Sequence, residues 1–283
     1  MMRVAVFSDI HGKILLPFKL ADLYQKETGR KLDAILQCGD LGAYPALEKL
    51  DKATIKHAQY DRDELGFHDE FTKADPGIQA FLDGLGLDMI CVRGNHEDHD
   101  FLDELEKDSA ASRFPIDVYK RVWICKTGFV QELKAGNETL RFAGIGRIGD
   151  RKGRSEKRFI QDYEREALKH LYKTKDALDV LITHDKSGVL AGDYGMAEIR
   201  EVLDQVIFQW HFYGHTGEPF KEETDDNGIT QSVKVKELEF DENGVLPEGC
   251  MLILEKTGEG MFELEVVGRQ LTNQLSKHRW KYD

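Results

Sequence analysis

Proline is scarce in this 283-residue chain, six in all, and no stretch rich in proline and serine marks a linker. Internal repeats and low-complexity tracts are also lacking, which argues against two domains on a tether and for one domain over residues 1–283. Cysteine is scarce too. Cys38, Cys91, Cys125 and Cys250 form no CxxC pair, and three of them lie in or beside apolar runs. Buried free thiols in a reducing compartment are therefore expected. No apolar run approaches the roughly 20 residues that span a bilayer. The N-terminal Val4-Ala5-Val6-Phe7 is too short for a signal h-region and meets Ser8-Asp9 at once. A soluble, cytoplasmic protein without a membrane partner is the expectation. Positive charge is in deficit: 39 Lys+Arg stand against 52 Asp+Glu, net −13. That argues against long nucleic acid or anionic lipid as a partner.

What the chain does have is rhythm. Short apolar runs at 4–7, 34–36, 89–92, 140–143, 180–182 and 206–213 each end in polar or glycine-rich residues, as strands covered on both faces do. Helical stripes lie between them: Ile14, Leu15, Phe18 and Leu23 before Gly29; Ala167, Leu168, Leu171 and Tyr172; Ile199, Val202, Leu203 and Val206. Strand and helix alternate, so the fold is α/β or a layered α-β-α arrangement. Residues 51–77 break the rhythm with a polar, charged insertion, helical or lid-like. From 220 to 283 the chain is elaborated, with apolar-polar alternation and turns at Asp226-Asn227-Gly228, Glu242-Asn243-Gly244 and Gly258-Glu259-Gly260, read as antiparallel strands completing a second sheet.

Metal-ligating residue types gather where the runs end: Asp9-Ile10-His11, Gly39-Asp40, Gly94-Asn95-His96-Glu97, Thr183-His184-Asp185 and Gly214-His215. Side chains i and i+2 of an extended backbone point the same way, so Asp9 and His11 reach one ion. Parallel strand ends line a common crevice, which brings distant residues together. Carboxylates, an amide oxygen and imidazoles suit Mn²⁺, Fe or Zn²⁺ better than Cu(I) or Ca²⁺. Asp40 has two oxygens and can bridge two ions, which at roughly 3.5–4 Å apart would hold a hydroxide and clamp a phosphoryl oxygen.

This ordered set resembles the calcineurin-like metallophosphoesterases, over about residues 3–217. The resemblance implies a four-layer α-β-β-α sandwich with mixed sheets, a dinuclear metal centre, and hydrolysis of phosphomonoesters or phosphodiesters. It implies Asp9, His11 and Asp40 at the first metal, and Asp40, Asn95, His184 and His215 at the second. His96 would be the non-ligand histidine that steadies the transition state or protonates the leaving oxygen. Manganese leads iron and zinc as the expected metal.

The chain departs from the family where the last motif usually reads Gly-His-x-His. Here it reads Gly214-His215-Thr216-Gly217. The first ion lacks that imidazole, so water fills the vacancy, Glu218 substitutes, or the first site is weak; water and Glu218 are preferred. Lys186, just past His184, either meets substrate phosphate or is solvated. Arg147 and Arg151 belong to a basic loop, and either of them reaches substrate phosphate or the loop is a solvated charge run. His57, His68, His170 and His278 read as solvated, His99 as a surface residue at a helix start, and His211 as a hydrogen-bonded core residue. Gly144 to Gly149 fits GxGxxG, but a charged loop follows where a dinucleotide site needs a helix, so no nucleotide cofactor is expected. The chain thus reads as a metal-dependent phosphoesterase acting on a small phosphate ester by metal-activated hydroxide attack. The other reading is a catalytically impaired scaffold of the same fold, because Gly217 replaces a ligand.

Overall fold

The structure, a computed structural model, describes residues 1–150, 152–174, 177–188 and 195–281. Its first part runs β1 (Met2–Phe7), α1 (Leu15–Thr28), β2 (Ala34–Gln37), α2 (Lys52–Ala58), α3 (Pro76–Leu85), β3 (Met89–Cys91), α4 (His99–Asp108), β4 (Arg113–Pro115) and β5 (Val122–Cys125). The second part runs β6 (Val130–Ala135), β7 (Glu138–Ile145), α5 (Asp162–Leu171), β8 (Leu178–Thr183), α6 (Ala197–Gln205), β9 (Phe208–Tyr213), β10 (Lys221–Thr224), β11 (Gln231–Lys234), β12 (Leu252–Gly258) and β13 (Met261–Val266). Two mixed sheets result, in the orders β13-β12-β1-β2-β3-β5-β4 and β10-β11-β9-β8-β7-β6.

Alternation along β1 explains the layering. Val4 and Val6 share a core with Leu36, Phe142, Val180, Ile182 and Phe212, drawn from both sheets. Ala5 and Phe7, on the opposite face, pack with Leu16, Phe18 and Leu20 of α1. On the far side of the second sheet, Leu168 and Leu171 of α5 and Ile199 and Leu203 of α6 cover Ala143, Ile145 and Leu181. The order is helix, sheet, sheet, helix. α1 stops where its stripe predicts: Gly29 takes φ 69° and donates its N–H to Gln25 O.

Residues 51–77 form α2, a 3₁₀ turn at Arg62–Leu65 and a short π-helical stretch at Phe67–Phe71, and lead into α3. Phe67 and Phe71 are buried in the core beneath α1, so the segment is anchored by its aromatic residues. The C-terminal strands differ from the expectation. β12 and β13 form a hairpin that joins the first sheet antiparallel to β1, with Val4 opposite Leu254, while β11 joins the second sheet parallel to β9. Leu252 and Leu254 enter the core between the sheets and Ile253 the helix-side core, so β12 is buried on both faces and needs a strand on each side. Strands β4 and β6 lack a strong apolar signal, because β4 is only three residues long and β6 is an edge strand with Glu132 exposed, whereas β5, Val122-Trp123-Ile124-Cys125, is an apolar run of four that the sequence reading missed.

Phe71→Ala is expected to lower stability by about 3–5 kcal/mol, the range for a fully buried aromatic. Urea unfolding measures this; a change within about 0.5 kcal/mol, the range of surface substitutions, would mean that 51–77 is not anchored through Phe71.

Candidate metal centre

β1, β2 and β3 are parallel neighbours, as are β8 and β9, so the turns that follow them open on one edge of the sandwich. Asp9, His11, Asp40 and His215 all take left-handed backbone conformations there, with φ of 47°, 40°, 54° and 65°. Non-glycine residues rarely do so, and such conformations concentrate at functional sites. Asp9 and His11 therefore reach one point from a tight turn beyond the end of β1, not by strand alternation. The glycines beside them serve close approach. A Cβ on Gly94 would lie 2.0 Å from the Asp40 backbone nitrogen, and one on Gly214 would lie 1.9 Å from Ser8 Oγ.

Two sets of donor atoms result, each within 4.8 Å across: Asp9, His11 and Asp40, and Asp40, His184 and His215. Asp40 belongs to both. Asn95 joins the second set, its Oδ1 lying 3.1 Å from His184 Nε2. Asp40 Oδ1 accepts from the backbone N–H groups of Asn95 at 2.7 Å and His96 at 2.8 Å. Asp9 accepts from Ser8 Oγ and from the His215 N–H at 3.1 Å. Glu97 braces the crevice from behind. Its carboxylate accepts from the N–H groups of Leu41, Ala43 and Gly94, tying the turn after β2 to the turn after β3.

His184 tests whether these residues fit a metal. Its Nδ1 donates to Cys38 O at 2.9 Å, which leaves Nε2 facing Asn95 Oδ1 at 3.1 Å and Asp40 Oδ1 at 3.3 Å. A neutral ring would then aim a lone pair at two oxygens, an arrangement that only a proton or a cation relieves. The pKa expresses the same demand. Burial opposes charge on His184, but Asp40 and Asp9 outweigh it and push the ring up to about 10. The buried oxygen and nitrogen donors fit divalent ions of the Mn²⁺, Fe or Zn²⁺ class.

His96 is arranged differently. It belongs to neither set, its ring lies 5.6 Å from that of His11 between centroids, and its Nδ1 meets Asp51 Oδ2 at 2.5 Å. Asp51 is a functional residue that the sequence reading missed. It also accepts from the Thr54 N–H at the start of α2 and from Tyr44 Oη, so it is itself held. An aspartate opening a helical stretch is visible in sequence as a cap, but its distance from His96 is not.

Several expected residues lie elsewhere. Arg147 is fully buried: it pairs with Asp103 and Glu164 at 2.8 Å each and donates to Tyr163 and to Lys157 O, so it does not reach a substrate. Its φ of 66° turns it inward from the strand end. Arg151 lies outside the described residues. Glu218 is exposed, beside Thr216 and 3.8 Å from Lys186, and is not among the donors around Asp9. It points away because Gly217 (φ 70°, with open space around it) turns the chain outward. Lys186 is partly exposed and, with His215, Thr216 and Arg154, borders a cavity of about 440 Å³. His99 is buried against Arg147, not on the surface, and His68 bonds Pro45 O. His211 sits in the core between Thr183 and Ser232, as expected.

The family model described as calcineurin-like phosphoesterase matches residues 2–219. Among solved structures, TT1561 of Thermus thermophilus is similar at 16% identity and TM-score 0.54, covering 94% of this chain and 98% of its own. GAP50 of Plasmodium, named as the anchor in the inner membrane complex, is similar at 12% identity and TM-score 0.50, with 96% and 85% covered. Both likenesses show the fold alone. No curated protein matches the chain. No described helix is long and apolar enough to cross a membrane.

Two substitutions separate site from scaffold. Gly94→Ala drives a methyl group into Asp40 and is expected to abolish tight Mn²⁺ uptake, read by metal analysis; undiminished uptake would show that the Asp40 turn is not so confined. Arg147→Ala leaves the buried Glu164 carboxylate without its cation, while Asp103 keeps Arg93 and Lys157, and should cost about 3–5 kcal/mol in denaturant unfolding. Unchanged stability with a raised KM would make Arg147 a substrate contact after all.

Proposed function

We propose that this chain, which belongs to the calcineurin-like phosphoesterase family, is a metal-dependent hydrolase of a small phosphate ester. The carrying observation is the pair of donor sets sharing Asp40, with the His184 Nε2 lone pair turned on two oxygens. Asp9, His11 and Asp40 would hold one ion, and Asp40, Asn95, His184 and His215 the other, with Mn²⁺ ahead of Fe or Zn²⁺. Bound there, divalent ions supply Lewis acidity to a phosphoryl oxygen and make water a better nucleophile.

The chain's own groups do the rest. His96 is the proton donor. Burial opposes its charge, but the Asp51 hydrogen bond and the charges of Asp40 and Asp51 prevail and push it up to about 9. The ring is therefore protonated at neutral pH, and with Nδ1 fixed on Asp51 its Nε2–H is the one left to give to the leaving oxygen. The cavity bordered by His215, Lys186 and Arg154, with Asp185 and Glu218 also in its wall, offers room for the ester and two cationic side chains to meet it. A small substrate suits a crevice of this size better than a polymer, given the overall charge of −13. The four cysteines are free and buried, which supports action in the reducing cytoplasm. A scaffold that had lost catalysis would leave the His96–Asp51 pair without a use.

Hydrolysis of bis(p-nitrophenyl) phosphate or p-nitrophenyl phosphate with added Mn²⁺ is the direct test; no turnover by folded protein with any divalent metal would sink the proposal for these model substrates. His96→Ala should lower kcat by about 10²–10⁴-fold while metal content is unchanged. Loss of metal instead would make His96 a ligand. Asp51→Asn removes the charge that raises the His96 pKa, so the alkaline limb of the rate profile should move to lower pH. A limb that stays in place would assign it to another group.

A further inference from the structure

Beside the centre around Asp40, a cavity of about 180 Å³ is bordered by His11, His96 and Thr54, and its remaining wall carries His57, Glu64 and Glu239. One donor atom from each of these last three lies within 4.8 Å of the others. They come from three separate places: the end of α2, the turn that follows it, and the connection between β11 and β12. Glu239 lies beyond residue 219, where the family match ends. We propose that His57, Glu64 and Glu239 bind an auxiliary divalent transition ion, distinct from the centre around Asp40 and sharing no residue with it.

One imidazole nitrogen and two carboxylates form a donor set suited to Zn²⁺ or Mn²⁺, with the cavity leaving room for water in the remaining positions. Glu64 is the fixed member. It is 5% exposed, and one oxygen is held by Lys13 Nζ at 3.1 Å, which leaves the carboxylate a second oxygen. Neither the His57 ring nor the Glu239 carboxylate has a hydrogen-bond or ion-pair partner among the described residues, so both are free to turn onto an ion. Lys13 lies between Glu64 and Asp61, so the two carboxylates of the set keep negative charge that draws a cation. Bound there, the ion joins the 51–77 segment to the C-terminal elaboration across the cavity that His96 faces.

The test is metal content of the full chain after chelator stripping and equilibrium dialysis against Zn²⁺, with folding checked by circular dichroism. His57 and Glu239 are exposed and hold no structural contact, so His57→Ala and Glu239→Gln should fold normally. Each variant is expected to bind one equivalent of Zn²⁺ fewer than the wild type. Equal zinc in all three proteins overturns the proposal. The same comparison made in an Asp40→Asn background should again show a loss of one equivalent on adding His57→Ala. If the difference vanishes there, the ion belongs to the Asp40 centre and the separate site is refuted. Both readouts stand whatever the hydrolysis assays give.

Discussion

The hydrogen bond from His184 Nδ1 to the carbonyl of Cys38 is the contact on which the site depends. Cys38 follows β2 in one sheet and His184 follows β8 in the other, so this bond crosses the core and fixes how the two strand ends meet. It also fixes the tautomer. With Nδ1 committed, Nε2 is left as the ligand atom, and it lands beside Asp40 and Asn95. Glycine at position 39 is part of the same arrangement, since a Cβ there would stand 2.5 Å from His184 Nδ1.

Around that contact the chain concentrates buried negative charge. Asp9 and Asp40 are both about 2% exposed, a costly state unless something positive or strongly polar compensates. Backbone N–H groups and Ser8 supply part of the compensation. The imidazoles supply more, and Asp40 is accordingly held well below the usual carboxylate range: burial pushes it upward, but the charges of His184, His11 and His96 prevail. The left-handed turns at four donor residues cost further free energy, each of order 1 kcal/mol or more. Strain and buried charge thus gather at one edge of the fold, where a divalent cation would offset the charge.

The frame was legible in sequence because its signal is local. Apolar runs of three to eight residues marked the central strands, Gly29 ended α1, and residues of metal-ligating type stood at strand ends. What was not legible depends on which backbone faces which. Arg147 sits in a basic loop by sequence, but Asp103 and Glu164, both far from it along the chain, claim its guanidinium inside the protein. Glu218 follows the last motif closely enough to suggest a ligand, yet the turn at Gly217 carries it outward. His99 opens a helix, as expected, on the helix's buried side.

Sequence by itself supplied the residue types: Asp9, His11, Asp40, Asn95, His184 and His215 stand in that order at the ends of apolar runs, and their chemistry suits a divalent metal. Tertiary structure alone decided which oxygen and nitrogen atoms converge, that Asp51 orients His96, and that Glu97 laces two turns together. It also decided that β12 lies within the first sheet. The physical reason is range. Side-chain chemistry and periodicity are properties of neighbours along the chain. A hydrogen bond such as His96 to Asp51 or His184 to Cys38 exists only once packing has brought separate segments within about 3 Å.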